Sequence, residues 1–171
     1  MPTILTHPAV AVALWPSFRQ QNFSRKILVA GSICASLPDI DVIGFRYGIH
    51  YGDVLGHRGL THSITFALIV SAILSFALSQ KRKKLFAFFF LCIVSHGVLD
   101  AFTNGGLGVA FFSPFNNTRY FFPWQPIEVS PIGIVNFLSG PFETVLWSEI
   151  QFVWVPCVAI YIATAMLQKR T

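Results

Sequence analysis

Histidine and aspartate recur in this chain at spacings that suit a metal site. His96 and Asp100 are four residues apart, so on a helix they share one face. That pairing serves two ligands on one ion, or a histidine with the carboxylate that orients it. Asp39 and Asp41 flank Ile40 just after Pro38; in extended backbone, side chains two apart share a face and can flank a cation. His57 and His62 bracket Arg58-Gly59-Leu60-Thr61, a tight helix entry that Thr61 or Ser63 is placed to cap. His7 opens the first helical segment. Imidazole and carboxylate donors without thiolates favour zinc, manganese or iron, as one or two ions.

Taken singly, each residue has an ordinary role: a histidine at a helix end, an acidic C-terminal turn, or an interhelical hydrogen bond from His96. Taken together, they divide into expected roles. His7, Asp39, His62, His96 and Asp100 are the expected metal ligands, with Asp41 or His57 as general base or second-metal ligand. Arg58 belongs with these catalytic residues, and with Arg119 it supplies guanidinium for an anionic substrate. Arg119 also suits an interfacial anchor among Tyr120, Phe121, Phe122 and Trp124. His50 and Asp53 fall in a loop, and Glu128, Glu143 and Glu149 read as solvated or capping groups.

The elements that position these residues follow from composition. Hydrophobic residues make up 54% of the 171 and charged residues 11%, against roughly 25% charged in a typical soluble domain. Nineteen charges wet a soluble surface of this size poorly, whereas lipid accepts apolar side chains on the outside too. The reading is a single all-α integral membrane domain over residues 1–171. The net charge of +5 comes from short clusters at the ends of apolar runs, which argues against nucleic acid as a partner. Cys34, Cys92 and Cys157 lie inside apolar runs without paired spacing and read as small hydrophobes. No basic stretch precedes an apolar run at the start, so no cleavable signal peptide is expected.

Five spans are expected: Thr3 to Phe18, Ile27 to Phe45, Ser63 to Ser79, Leu85 to Phe102, and Phe152 to Leu167. Several are near the lower limit of about 17 residues. The Pro-, Phe- and Gly-rich stretch Asn104 to Glu149 reads as interfacial or re-entrant. With Lys81 to Lys84 cytoplasmic, nine of the twelve basic residues face the cytoplasm, and all seven acidic residues fall outside the cytoplasmic loops. This puts the N-terminus on the non-cytoplasmic side. At the helical rise, Asp39 then stands about 20 Å from Lys26, His96 and Asp100 about 18 and 24 Å from Lys84, and His7 about 18 Å from Arg19. Four segments thus carry ionisable groups to one depth in the outer half of the membrane, where such groups are costly and tied to function.

Three stretches resemble a known signature: Leu37-Pro38-Asp39-Ile40-Asp41, His57-Arg58-Gly59-Leu60-Thr61-His62-Ser63, and Ser95-His96-Gly97-Val98-Leu99-Asp100. They are similar to the YdjM family of bacterial and archaeal inner-membrane proteins, described as metal-dependent hydrolases by inference from these same residues and also labelled LexA-binding. His7, Asn104-Gly105-Gly106 and Ser113-Pro114-Phe115 share the likeness, which covers roughly residues 7 to 120. The resemblance implies a metal-dependent hydrolase of the inner membrane.

The leading expectation is hydrolysis of a lipid-linked or amphiphilic ester, above all a phosphoester, at the non-cytoplasmic side, with membrane lipid as the partner. Two alternatives stand beside it. One is an ion, metal or proton transport protein. The other is a regulatory membrane protein with a structural metal, binding a soluble partner through its basic loops.

Overall fold

In the computed structural model, which describes residues 1–19, 23–78 and 82–168, the described chain is helical apart from two isolated bridges, Thr103 to Ile127 and Val109 to Tyr120. Helix α1 runs Pro8–Arg19 and α2 Arg25–Ser36. A 3₁₀ helix, Leu37–Tyr47, continues α2 without a break and ends at Gly48, whose φ of 78° needs glycine. The short 3₁₀ turn Leu60–His62 leads into α3, Ile64–Leu78, and α4 spans Arg82–Ala101. After an irregular stretch come α5 (Ile134–Ser139) and α6 (Phe142–Glu149). A π turn, Ile150–Trp154, then carries α6 into α7, Val155–Gln168.

Three helical segments are long and apolar enough to cross a membrane: Arg25–Tyr47, Arg82–Ala101 and Phe142–Gln168. Pro8–Phe18 and Ile64–Leu78 are apolar but shorter. The expected count of five therefore reduces to three full-length spans and two shorter helices. The last span also starts at Phe142, ahead of the expected Phe152, so the irregular region is correspondingly shorter. The reason is Glu149. Its charge marks a boundary in the sequence, but the helix carries it inward because hydroxyl groups satisfy it there. The expected residues Ser79, Lys81, Lys169 and Arg170 lie outside the described residues.

The core is a helix sandwich around α4. Helix α3 packs against α4 as an antiparallel hairpin, offering the small buried side chains Ala67, Ser71 and Ser75. Helices α1 and α2 close the other side, where Ala11, Trp15, Cys34 and Ala35 meet Leu85, Phe88, Phe89 and Cys92. Helix α7 lies along α1 and keeps most of its surface exposed, as lipid-facing apolar residues are.

Helix α2 packs tightly on α4 at Gly31, where an added Cβ would sit 2.4 Å from Cε1 of the fully buried Phe88. Gly31→Ala is expected to force these helices apart and destabilise the protein by about 1–3 kcal/mol. Thermal unfolding in detergent checks this, and an unchanged midpoint would refute the close packing.

Candidate metal centre

Three segments deliver ionisable groups to one buried cluster. The 3₁₀ helix contributes Asp39 and Asp41, the loop and turn after it His57, Arg58 and His62, and α4 His96 and Asp100. All seven are buried. The extended backbone expected for Asp39 and Asp41 is replaced by 3₁₀ helix, so the two carboxylates face different partners instead of sharing a face. Asp39 reaches His96 and His62, while Asp41 reaches His57 and the far side of His62.

Donor atoms of Asp39, His62, His96 and Asp100 all lie within 4.8 Å of one another. Oδ1 of Asp39 is 3.2 Å from Nε2 of His96 and 3.6 Å from Nε2 of His62. Oδ2 of Asp100 is 3.3 Å from Nε2 of His62 and 3.9 Å from Nε2 of His96. Ligands about 2.0–2.2 Å from a tetrahedral ion stand about 3.3–3.6 Å apart, so the set fits a small coordination sphere.

Tautomers support the same conclusion. His96 Nδ1 lies 2.7 Å from the carbonyl of Ala35 and donates to it, which leaves Nε2 as a lone pair aimed at the carboxylates. His62 Nδ1 lies 3.0 Å from Asp41 Oδ2, so its Nε2 points the same way. Asp41 is thus the outer carboxylate that orients a ligand histidine. It also accepts from His57 Nδ1 at 2.7 Å, from the Thr61 hydroxyl at 2.6 Å and from the Arg58 backbone N–H at 3.2 Å. Thr61, one of two expected helix caps, is committed here; Ser63 caps α3 by accepting from the Phe66 N–H at 3.1 Å. Asp41, His57 and His62 form a second set close enough to hold an ion.

Several buried atoms of the cluster make no well-aligned hydrogen bond and are held by charge alone or not at all: Asp39 Oδ2, Arg58 Nε, His62 Nε2, both oxygens of Asp100 and both ring nitrogens of His7. Orphaned buried acceptors are rare, and a cation is what such convergent lone pairs accept. Electrostatics agree, because three carboxylates face one guanidinium. Burial alone would lower the His62 imidazole, but Asp100, Asp39 and Asp41 outweigh it and hold His62 well above its ordinary value of 6.5. The buried His/Asp cluster can therefore hold a metal ion.

His7 stacks flat on His96, ring centroids 3.6 Å apart and 13° from parallel, but lies outside the four-residue donor set. Both arginines are engaged within the protein. Arg58 Nε is 3.1 Å from Asp100 Oδ2, and its Nη atoms donate to the Gly105 carbonyl at 2.8 Å and the Thr103 hydroxyl at 3.0 Å. Its backbone φ of 61° is left-handed, a strained setting for a non-glycine residue. Asp41 and the Ala110 N–H hold it there from either side. Gly106, with φ of 90°, lets the Asn104-Gly105-Gly106 turn close on this guanidinium: a Cβ there would meet Nη1 at 2.9 Å. Arg119 donates to the carbonyls of His57, at 2.9 Å, and Tyr51, at 2.8 Å, and so clamps the loop that carries His57.

Glu149 corrects the sequence reading most. Expected to be solvated or capping, it is buried and accepts from the Thr3 N–H, from the Thr3 hydroxyl at 2.7 Å and from the Thr6 hydroxyl at 2.6 Å. Trp154 Nε1 donates to the same Thr6 oxygen at 2.8 Å. Together they fasten the segment that leads into His7. The signal in the sequence was a carboxylate beside an apolar run, which is costly unless partnered. His50 and Asp53 bond to each other in an exposed loop outside the cluster. Glu128 accepts from Asn104 at the surface, and Glu143 is exposed.

The profile of the YdjM inner membrane protein family matches residues 1–171. The chain belongs to the YdjM family. It is also 36% identical over 160 residues to inner membrane protein YbcI of Escherichia coli (strain K12), covering 91% of this chain and 92% of that one. No solved structure matches. The stretches that carried the YdjM resemblance are those that build the centre, with Gly97 as an added fit: a Cβ there would lie 2.8 Å from the His62 carbonyl.

Purified protein is expected to carry about one or two equivalents of transition metal by elemental analysis, lost in a His62→Ala, His96→Ala double variant; no metal in the wild type would refute the centre. Asp41→Asn should retain the fold and weaken metal affinity about 10–100-fold. Because the metal replaces a proton held on His62, affinity should rise with pH above 6.5 toward that raised value. Calorimetry in buffers of different ionisation enthalpy should register the released proton, and buffer-independent heats would contradict it.

Proposed function

We propose that this protein is a metal-dependent hydrolase acting on a lipid-linked or amphiphilic ester, above all a phosphoester, at the non-cytoplasmic side of the inner membrane. The observation that carries the reading is the convergence of the donor atoms of four buried residues, Asp39, His62, His96 and Asp100, beside a His57–Asp41 pair. Asp39, His62, His96 and Asp100 would hold a divalent zinc, manganese or iron ion, which would supply Lewis acidity and lower the pKa of water there.

The chain's own residues do the rest. Asp41 fixes the His57 ring by accepting its Nδ1–H, so Nε2 remains free to take a proton as general base. Arg58 acts mainly by holding Asp100 in place. In this reading an anionic substrate draws on the charge of Arg58 and Arg119 by exchanging some of their carbonyl bonds for its own oxygens. His7 covers the His96 face and limits access from that side.

The transport reading has less support, because the cluster is not extended inward. Beneath it lie Cys92, Phe89, Phe88 and Leu85, all buried, and the polar groups that α3 sets against them are two uncharged hydroxyls, Ser71 and Ser75, too few for a continuous path. A path for ions needs polar groups along its length.

The test is turnover. Metal-loaded protein in mixed micelles is screened against phospholipids and prenyl phosphates, wild type beside His57→Gln. A drop of about 10²–10⁴-fold in kcat for the variant, with metal content unchanged, is expected. Metal-loaded wild type that cleaves none of these substrates would overturn the proposal.

A further inference from the structure

His62 belongs to both sets of donor atoms close enough to hold an ion, the first with Asp39, His96 and Asp100 and the second with Asp41 and His57. It meets them through opposite nitrogens of its ring. Nε2 faces Asp100 Oδ2 at 3.3 Å and Asp39 Oδ1 at 3.6 Å, whereas Nδ1 lies 3.0 Å from Asp41 Oδ2. Through its other oxygen Asp41 holds His57 Nδ1 at 2.7 Å, and the Thr61 hydroxyl stands 3.1 Å from His62 Nδ1. Asp41, His57 and His62 are all buried. A carboxylate held between two imidazole N–H groups is a place where a divalent cation can replace the hydrogens.

The two sets are not equally ready for an ion. The first includes buried acceptors that make no well-aligned hydrogen bond, whereas each Asp41 oxygen already accepts one. Charge separates them further. A divalent ion in the first set and the Arg58 guanidinium together balance the carboxylates of Asp39, Asp41 and Asp100. A second ion then enters a cluster that is already neutral, so it binds more weakly.

Spacing decides what that second ion does. With each ion about 2 Å from its nitrogen, ions on opposite sides of one imidazole stand about 6 Å apart. Metal pairs that act together on an in-line displacement are about 3.5–4 Å apart. The second position is therefore too distant to assist the reaction, but it engages the His57 Nδ1 lone pair. The proton now on Nδ1 moves to Nε2, and a ring that could accept a proton becomes one that only donates. His62 releases its Nδ1 proton to solvent and bridges as imidazolate, a loss that an ion already on Nε2 makes easier.

We propose that Asp41, His57 and His62 form a second, weaker metal site whose occupation shuts the reaction off, with the His62 ring bridging the two ions. The inhibition rests on the hydrolase reading, in which His57 is the base. The binding rests on the donor geometry alone.

The experiment has two arms that fail separately. In the first, detergent-purified protein is equilibrated with increasing free zinc and its bound metal is counted. A second, weaker equivalent is expected, and His57→Gln should lose it while keeping the first. A single equivalent in wild type, or a second that survives in His57→Gln, overturns the site. Copper(II) puts the same question to wild type without a variant. Filling the second position should quench the electron paramagnetic resonance signal of the first ion through the shared ring; independent copper signals would rule out the bridge. In the second arm, turnover of phospholipids and prenyl phosphates is compared at one and at two equivalents of zinc. The second equivalent should lower kcat by about 10²–10⁴-fold, the size of a lost general base. A rate that stays level or rises overturns the inhibition. If wild type is inactive at both loadings, the hydrolase reading fails and the inhibition with it; the first arm still decides whether the second site exists.

Discussion

Asp39, Asp41 and Asp100 are carboxylates removed from water within hydrogen-bonding reach of shared histidines, and each can stay ionised there only if positive charge is supplied to it. One guanidinium, from Arg58, meets Asp100. The rest must come from protonated imidazole or from a metal. Much of the surrounding architecture answers to that requirement. The 3₁₀ continuation of α2 turns two nearby carboxylates to opposite sides of His62, and the left-handed backbone at Arg58 is held between Asp41 and Ala110. A carbonyl of α2, that of Ala35, fixes the ring of His96.

The site was more legible in the sequence than the fold that carries it. Helical rise alone put His7, Asp39, His96 and Asp100 at one depth, because distance along a helix is a linear function of residue number. Four spaced polar residues in otherwise apolar segments are a strong local signal, and His62, His96, Asp39 and Asp100 do converge. Backbone contributions were not legible: nothing in the identity of Ala35 announces that its carbonyl will hold an imidazole. Nor were the occupations of the arginines, since a guanidinium looks equally ready for substrate or for a loop carbonyl until the loop's path is known.

Span lengths were read less well for a related reason. A charged residue marks a span end near Lys84 but not at Glu149, where two threonines 143 and 146 residues earlier satisfy the carboxylate. Long-range pairing leaves no periodic trace. The first helix shows the converse: it begins at Pro8, later than the apolar run from Thr3 suggests.

The Glu149 clamp also bears on biosynthesis. Thr3 and Thr6 emerge from the ribosome long before the carboxylate that holds them, which is made only at the end of α6. His7 therefore cannot be secured over His96 while the earlier helices are being inserted. The ligands from Asp39 to Asp100 are all synthesised before it. The nascent protein passes through an interval in which the His/Asp residues of the cluster exist without their cover, before the segment leading into His7 is tied down.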